Sequence, residues 1–168
     1  MRADGVIAHQ TSTVAGVAAY PLSTVAMKKM QRFKQRKGPF LILAPHAHAA
    51  LSWARYFKPA WRKLIRESWP GPVTIILPGK PGLPTACYQK GMVALRVEPI
   101  HCYHLCDRQH PLIASSSLNR KGKPLAPLHR AQRLRWSQYI DKCVTGTLGS
   151  GIASSIYRCK AQRIERLR

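Results

Sequence analysis

Hydroxyl and cationic side chains, rather than carboxylates, carry the chemistry this sequence can do. Thr11-Ser12-Thr13, Ser115-Ser116-Ser117 and Ser154-Ser155 are three polar clusters, each expected as a loop after a predicted strand. At the strand ends of an open α/β sheet, hydroxyls and backbone N–H groups converge on the crevice where ligands bind. Lys34, Arg36 and Arg96 add positive charge there and would make the crevice a phosphate clamp without acids. The acidic residues Asp4, Glu67, Glu98, Asp107, Asp141 and Glu165 are scattered singly, with no pair at helical spacing. Two-metal phosphoryl chemistry and a glycosidase carboxylate pair are set aside on that ground. The sequence has neither the P-loop nor the dinucleotide-binding glycine pattern, so nucleotide binding has to rest on the hydroxyl clusters and the cations.

Three further groups admit a sharper and a plainer reading. The run His101-Cys102-Tyr103-His104-Leu105-Cys106, with His110 beyond, puts two cysteines on one helical face, but its spacing matches no common zinc site. It reads as semi-buried helix, and no protein-bound metal is expected. Trp53, Trp61 and Trp69 recur every eight residues among Arg and Lys. They are either core or stacking platforms for exposed bases. His46 and His48 read as residues of a helix entry rather than as catalytic bases.

The elements that must position these groups follow from the apolar pattern. Buried strands are expected at Gly5–Ala8, Phe40–Ala44, Val73–Leu77, Val93–Val97 and Leu112–Ala114, with a final pair around Ile156 and Ile164. Helices are expected over Ser23–Phe33, with Val25, Met27, Met30 and Phe33 inward, and over Ala47–Tyr56, Pro59–Ser68, Ile100–Arg108 and Leu128–Arg135. Ser115–Pro127 reads as a polar loop. This alternation gives an α/β (α+β) class, and 168 residues make about one domain, with 45% apolar residues for its core.

Charge narrows the partners. The chain has 28 Lys and Arg against 6 Asp and Glu, a formal charge of +22 spread along its length. Such self-repulsion is relieved by an anionic partner, and nucleic acid is the expected one, ahead of a membrane surface. No apolar run approaches the roughly 20 residues of a membrane span, and no leader pattern opens the chain. A cytoplasmic protein with reduced thiols, five in number, is expected.

The ordered string of motifs resembles the YrdC/Sua5 family of threonylcarbamoyl-AMP synthases from Gly5 to Arg168. Gly5 to Gly16 is similar to that family's first strand and its Pro-Thr-x-Thr-x-Tyr-Gly loop, and Lys34-Gln35-Arg36 to its Lys-x-Arg. Trp69-Pro70-Gly71-Pro72-Val73-Thr74 is the most specific match, followed by Val93-Ala94-Leu95-Arg96-Val97. Ala114-Ser115-Ser116-Ser117 falls where the family has Thr-Ser-Ala-Asn, and Ser154-Ser155-Ile156 where it has Ser-Thr-hydrophobic.

The resemblance implies a twisted mixed sheet, flanked by helices, around an open basic cavity. It implies a nucleotidyltransferase that joins L-threonine, bicarbonate and ATP into threonylcarbamoyl-adenylate and pyrophosphate for tRNA t6A modification. Magnesium would come with ATP. By the same analogy Lys34, Arg36, Ser116, Asn119 and Arg168 would hold ATP, while Thr13, Ala114 and Ser154 would surround threonine. Lys34, Arg36 and Arg96 would stabilise the reacting groups. Partners would be tRNA or other double-stranded RNA, and the transferases of the t6A pathway. Gln10, Ala15 and Leu118 depart from the family's Pro, Tyr and Asn, with Asn119 one residue beyond the last of these. Leu43 stands where some members use His near threonine. Residues 1–168 are expected as one YrdC-like domain lacking the usual N-terminal helix. A second outcome stays open, a non-catalytic RNA-binding relative acting in rRNA maturation.

Overall fold

The structure, a computed structural model, describes residues 4–98, 105, 112–126, 128–160 and 163–168. Its described strands are β1 (Val6–His9), β2 (Gly16–Ala19), β3 (Leu41–Ala44), β4 (Val73–Pro78), β5 (Tyr88–Gln89), β6 (Met92–Val97), β7 (Ile113–Ser117), β8 (Lys142–Val144), β9 (Ser155–Cys159) and β10 (Ile164–Arg166). They form one mixed sheet in the order β10-β9-β4-β6-β3-β7-β2-β1-β8, with β5 paired to β6. The helices are α1 (Thr24–Lys34), α2 (Ala47–Leu51), α3 (Arg62–Ser68) and α4 (Arg130–Arg135). The expected single-domain α/β class is what forms.

Register sorts the sheet into two faces. Side chains alternate along a strand, so residues opposite one another across the ladder share a face. Ile75 pairs with Leu95, Ile42 with Leu95 and Ala114, and Ala19 with Ala114 and Val6. These residues face the helices, where Met30, Phe33 and Phe40 are fully buried with them. Large side chains buried in this way contribute about 1.5–3 kcal/mol each. The opposite face carries Thr74, Ile76, Ala94, Arg96, Leu41, Leu43, Ser115 and Gly16, and it is the face the candidate site uses.

Helix α1 starts where Ser23 Oγ accepts the Ala26 N–H at 3.0 Å and stops where Gln35 turns left-handed at φ 54°. Its inner stripe is Ala26, Met27, Met30, Phe33 and Lys34. Val25, expected inward, is 59% exposed, because it lies one position off the i, i+3/i+4 stripe. Helix α2 begins at His46, whose Nδ1 accepts the Ala49 N–H. It ends at Leu51 rather than Tyr56, since the chain peels away to bond the end of β4. There Arg55 N–H donates to the Pro78 carbonyl at 2.7 Å and Lys80 N–H to the Trp53 carbonyl at 2.8 Å. Trp61 and Trp69 are buried in the core, and Trp53 packs against it half-buried.

Three strands, β2, β5 and β8, lie outside the sequence expectations. β2 pairs antiparallel with both β1 and β7, and β8 lies parallel to β1. The Ser115–Ser117 segment, expected as loop, belongs to β7, since pairing with β2 and β3 on both sides overrides serine's weak strand preference. Ser154 likewise precedes β9 instead of following a strand. The expected helix Ile100–Arg108 and its His/Cys run lie outside the described residues, Leu105 excepted. Among the described residues no helix is long and apolar enough to cross a membrane.

Candidate active site

A cavity of about 600 Å³ opens on the second face of the sheet. Its floor is the alternate-residue set just named, and its walls come from the loop after β1, the chain after α1 and the C-terminal segment. Arg36, Arg96, Arg158 and Arg168 bring the positive charge. Thr11, Thr13, Thr74, Ser115, Ser116, Ser117 and Ser154 bring the hydroxyls. No acidic side chain is among the described residues that line it. A phosphate-bearing ligand therefore meets donors and positive charge on several sides.

Arg96, on β6, is buried at 3% exposure and anchors the wall beneath the Thr11–Thr13 loop. Its Nη1 donates to Thr13 Oγ1 at 2.9 Å, and Nη2 donates to Ser12 Oγ at 2.7 Å and to the Glu98 carboxylate. Thr13 and Thr11 hydroxyls lie 2.9 Å apart, and Thr11 donates onward to the Val14 carbonyl. Glu98 also accepts the Ser12 N–H at 3.1 Å and the Ser12 hydroxyl at 3.0 Å. The network fixes one guanidinium face in the wall. Sequence reasoning passes over Glu98 as a scattered acid; its place two residues from Arg96 is the available signal.

Arg36 follows α1 and reaches the far rim. Its Nη2 donates to Ser116 Oγ at 3.0 Å and its Nη1 to the Pro39 carbonyl at 3.0 Å, with the guanidinium 5.0 Å from the Phe40 ring centre. Burial lowers its pKa from the usual arginine value. Ser154 Oγ lies 3.0 Å from Thr74 Oγ1, and Arg168 Nε donates to the Ser154 carbonyl at 2.9 Å, which places both on the C-terminal wall. Arg158, not anticipated from sequence, joins them from β9, 3.8 Å from Glu165.

Lys34, Asn119 and Ala114 take other positions. Lys34 Nζ donates to the carbonyls of Ser117 and Asn119 and to Asn119 Oδ1, and it does not line the cavity. Burial, and then the charge of Arg36, lower this ammonium to about 8. Asn119 spends its amide on the Lys123 carbonyl at 2.7 Å and accepts from Ser117 Oγ. The two residues tie the end of α1 to the turn after β7. Ala114 is fully buried on the helix-facing side of β7. Leu43 does line the cavity.

A glycine-rich strap, Thr145 to Ala153, lies across the Thr11–Thr13 loop. Ser150 N–H donates to the Ser12 carbonyl at 3.1 Å and Gly151 N–H to the Thr13 carbonyl at 2.9 Å. Gly149 makes this approach possible, because a Cβ there would stand 2.3 Å from Thr11 O and 2.4 Å from Thr13 O. Among the described residues no group of three His, Cys, Asp or Glu gathers as a metal site. Cys87 and Cys159 are buried thiols pushed up to about 12 and about 11 by desolvation, so neither is a ready nucleophile.

Comparison with known proteins places this arrangement. The Sua5/YciO/YrdC family model, described as telomere recombination, matches residues 1–168. A threonylcarbamoyl-AMP synthase of Pseudomonas fluorescens is 32% identical over 170 residues, covering 94% of this chain and 87% of the relative. One from Pseudomonas paraeruginosa is 30% identical over 158 residues, covering 90% and 82%. Among solved structures, P. abyssi Sua5 complexed with L-threonine superposes with a TM-score of 0.83 at 24% identity, over 98% of this chain and 50% of that one. E. coli YciO superposes with a TM-score of 0.77 at 18% identity, over 98% and 82%. This chain thus spans about half of the P. abyssi protein. The two superpositions speak for the fold.

Proposed function

The chain belongs to the Sua5/YciO/YrdC family, and from that premise we propose that it is a threonylcarbamoyl-AMP synthase. In this reading it is a nucleotidyltransferase that makes threonylcarbamoyl-adenylate and pyrophosphate from L-threonine, bicarbonate and ATP, in the cytoplasm, for tRNA t6A modification. One observation carries the reading: a cavity of about 600 Å³ lined by four arginines and seven hydroxyl side chains, within the usual size range of small-molecule sites. Its shape and charge suit a nucleotide together with a small hydroxy amino acid.

The chemistry asks for little acid–base work. The deprotonated threonine amine bonds to the bicarbonate carbon with loss of water; an oxygen of the resulting carbamate then attacks the α-phosphorus of ATP, and the bond to pyrophosphate breaks as it leaves. Negative charge grows on the equatorial and leaving oxygens, where Arg36 and Arg168 can meet it from opposite walls. Arg96, held by Glu98 and Ser12, fixes the Thr13 hydroxyl on the floor. Positioning then supplies much of the rate. Magnesium enters with ATP, held by phosphate oxygens and water rather than by the arginine and hydroxyl lining.

We infer further that the protein engages tRNA or other double-stranded RNA. A basic cleft of about 350 Å³ on the C-terminal half of α1 is lined by Lys28, Gln31, Arg32, Gln35, Arg36 and Lys37, and Arg36 belongs to this cleft and to the cavity alike. RNA affinity should fall steeply with salt. A non-catalytic RNA-binding relative acting in rRNA maturation is the second reading. What favours it is the engagement of Lys34 and Asn119 with one another and away from the cavity.

Pyrophosphate release from ATP, with threonine and bicarbonate omitted in turn, separates the two. Release that needs both supports the synthase. Its absence, with salt-sensitive RNA binding retained, would reject the synthase for this chain.

A further inference from the structure

Trp61 belongs to the core at 1% exposure, and two rings that face solvent rest against it. Tyr56 is 45% exposed, its ring centre 5.8 Å from the indole and inclined at 31°. Phe57 is 37% exposed, with its centre 6.3 Å away, edge-on at 79°. A ring inclined as little as Tyr56 turns one face to the indole and leaves the other to solvent. The segment that carries the two rings is fixed at both ends. Ahead of it Ala54 bridges Gly79, and Arg55 N–H donates to the Pro78 carbonyl at 2.7 Å. Behind it Trp61 N–H donates to the Lys58 carbonyl at 3.0 Å, closing the 3₁₀ turn that Pro59 opens. Rings held in this way lose little freedom when a ligand stacks on them.

Their surroundings are cationic. Arg55, Lys58, Arg62, Lys63 and Arg66 stand against one acid in this stretch, Glu67, which lies 4.0 Å from Lys63. Arg55, Arg62 and Arg66 are exposed, and among the described residues their side chains have no hydrogen-bond or ion-pair partner. Arg55 adjoins Tyr56, while Arg62 and Arg66, four residues apart, share one side of α3 just beyond Trp61. Trp61 shares its core cluster with Met30 and Phe33 of α1, so the rings stand on the helix side of the sheet, the side of the basic α1 cleft, and not in the cavity. Uncovered aromatic faces among unpaired cations fit a ligand that is flat-faced and polyanionic at once. Single-stranded nucleic acid is that ligand, because its bases stack while its phosphates meet the guanidiniums. A duplex keeps its base faces inside, and an acidic peptide has no such faces to offer.

We propose that Tyr56 and Phe57, backed by Trp61, are a stacking platform for unpaired bases of RNA, with Arg55, Arg62 and Arg66 holding the phosphates on either side. The inference rests on the RNA engagement proposed above and adds to it a second surface with a different preference. The α1 cleft offers charge alone and suits a backbone; the rings reward nucleotides that have left a helix. An RNA that carries a stem and a loop can then touch both surfaces on one side of the protein.

The test measures, by fluorescence anisotropy, the affinity of the full chain for octaadenylate and for an abasic phosphodiester of the same length and charge. Wild type should prefer octaadenylate by about tenfold or more. Tyr56→Leu with Phe57→Leu keeps an apolar cover on Trp61 and removes both ring faces. It should bring the preference to within about twofold, with pyrophosphate release and binding of a short RNA duplex near wild type. Tyr56→Leu alone, expected to lose a smaller part of the preference, serves if the pair does not fold. Arg62→Gln with Arg66→Gln should instead weaken both oligomers alike, lower the salt slope by about one and leave the preference in place. Equal affinity of wild type for the two oligomers, or a preference unchanged in the leucine variants, overturns the platform and leaves the duplex reading standing. Failure of wild type to bind either oligomer or the duplex overturns both.

Discussion

Arg96 and Glu98, two residues apart in sequence and each 3% exposed, form an ion pair inside the cavity wall, with Ser12 hydrogen-bonded to both. A buried pair of this kind is costly to break from one side, because the surviving charge is left without compensation. Glu98→Gln should therefore destabilise the fold by about 3 kcal/mol, and Arg96→Met by a similar amount. The double variant Arg96→Met with Glu98→Leu should lie closer to wild type than the sum of the two. Denaturant melts of the three proteins measure this directly. Synthase activity should not follow stability: the double variant folds yet loses the Thr13 anchor and with it turnover.

Arg36 gives the cleaner functional probe, since its side chain is only half-buried and its partners are one hydroxyl, one carbonyl and one ring. Arg36→Ala should change stability by no more than about 1 kcal/mol. It should lower kcat/KM for ATP by about a hundredfold or more, the scale seen when a preorganised donor is taken from a developing charge. RNA binding should weaken only modestly, with the salt slope reduced by about one. Equal loss in both assays would mean that Arg36 serves the RNA cleft as much as the cavity.

How much of this is legible in the sequence differs from element to element. Strands β3, β4 and β6 are readable because β3 is a continuous apolar run and β4 and β6 are apolar but for Thr74 and Arg96, each buried on at least one face. The strand β2, Gly16–Ala19, is not, because Gly-Val-Ala-Ala has little strand preference of its own and is held by β1 and β7 on its two sides. Nor is β8, whose parallel pairing with β1 is fixed by a contact more than a hundred residues away in sequence. In the site, Arg36, Arg96, Ser116, Thr13 and Ser154 converge as their types imply, and Arg168, which only the family resemblance singles out, lines the same cavity. Lys34 and Ala114 do not, and the reason is geometric. Lys34 is the last buried residue of α1 and points at the turn after β7, while Ala114 alternates to the helix side of its strand.

The Gly149 contact predicts a contrast between two glycines of one strap. Gly149→Ala would put a methyl group 2.3 Å from the Thr11 carbonyl, so the strap has to lift from the loop that presents Thr13. An increase of about tenfold or more in the KM for threonine is expected. Gly151 has a positive φ of 74° but nothing within 4 Å of a built Cβ. Gly151→Ala should cost about 1 kcal/mol of backbone strain with kinetics near wild type. Steady-state kinetics of the two variants side by side settle whether the strap shapes the site, because a general loosening of the segment would affect both alike.

Lys34 predicts an unusual dependence of stability on pH. Burial and the nearby Arg36 lower its ammonium from the ordinary lysine value of 10.5 to about 8 in the fold. Between these two values the unfolded chain holds the proton and the folded chain has released it, so the unfolded state binds more protons and stability rises with pH. Below about 8 both states are protonated, and the folded state carries the full cost of the buried charge. In Lys34→Met this dependence disappears. The stability of wild type minus that of Lys34→Met should therefore increase from about pH 8 to about pH 10, by on the order of 1 kcal/mol per pH unit. The difference should be flat between about pH 6 and about pH 7.5. Urea melts of both proteins across this range give the slope, and a difference that stays flat up to about pH 10 would mean that the three oxygen acceptors around Nζ offset desolvation and hold the lysine charged.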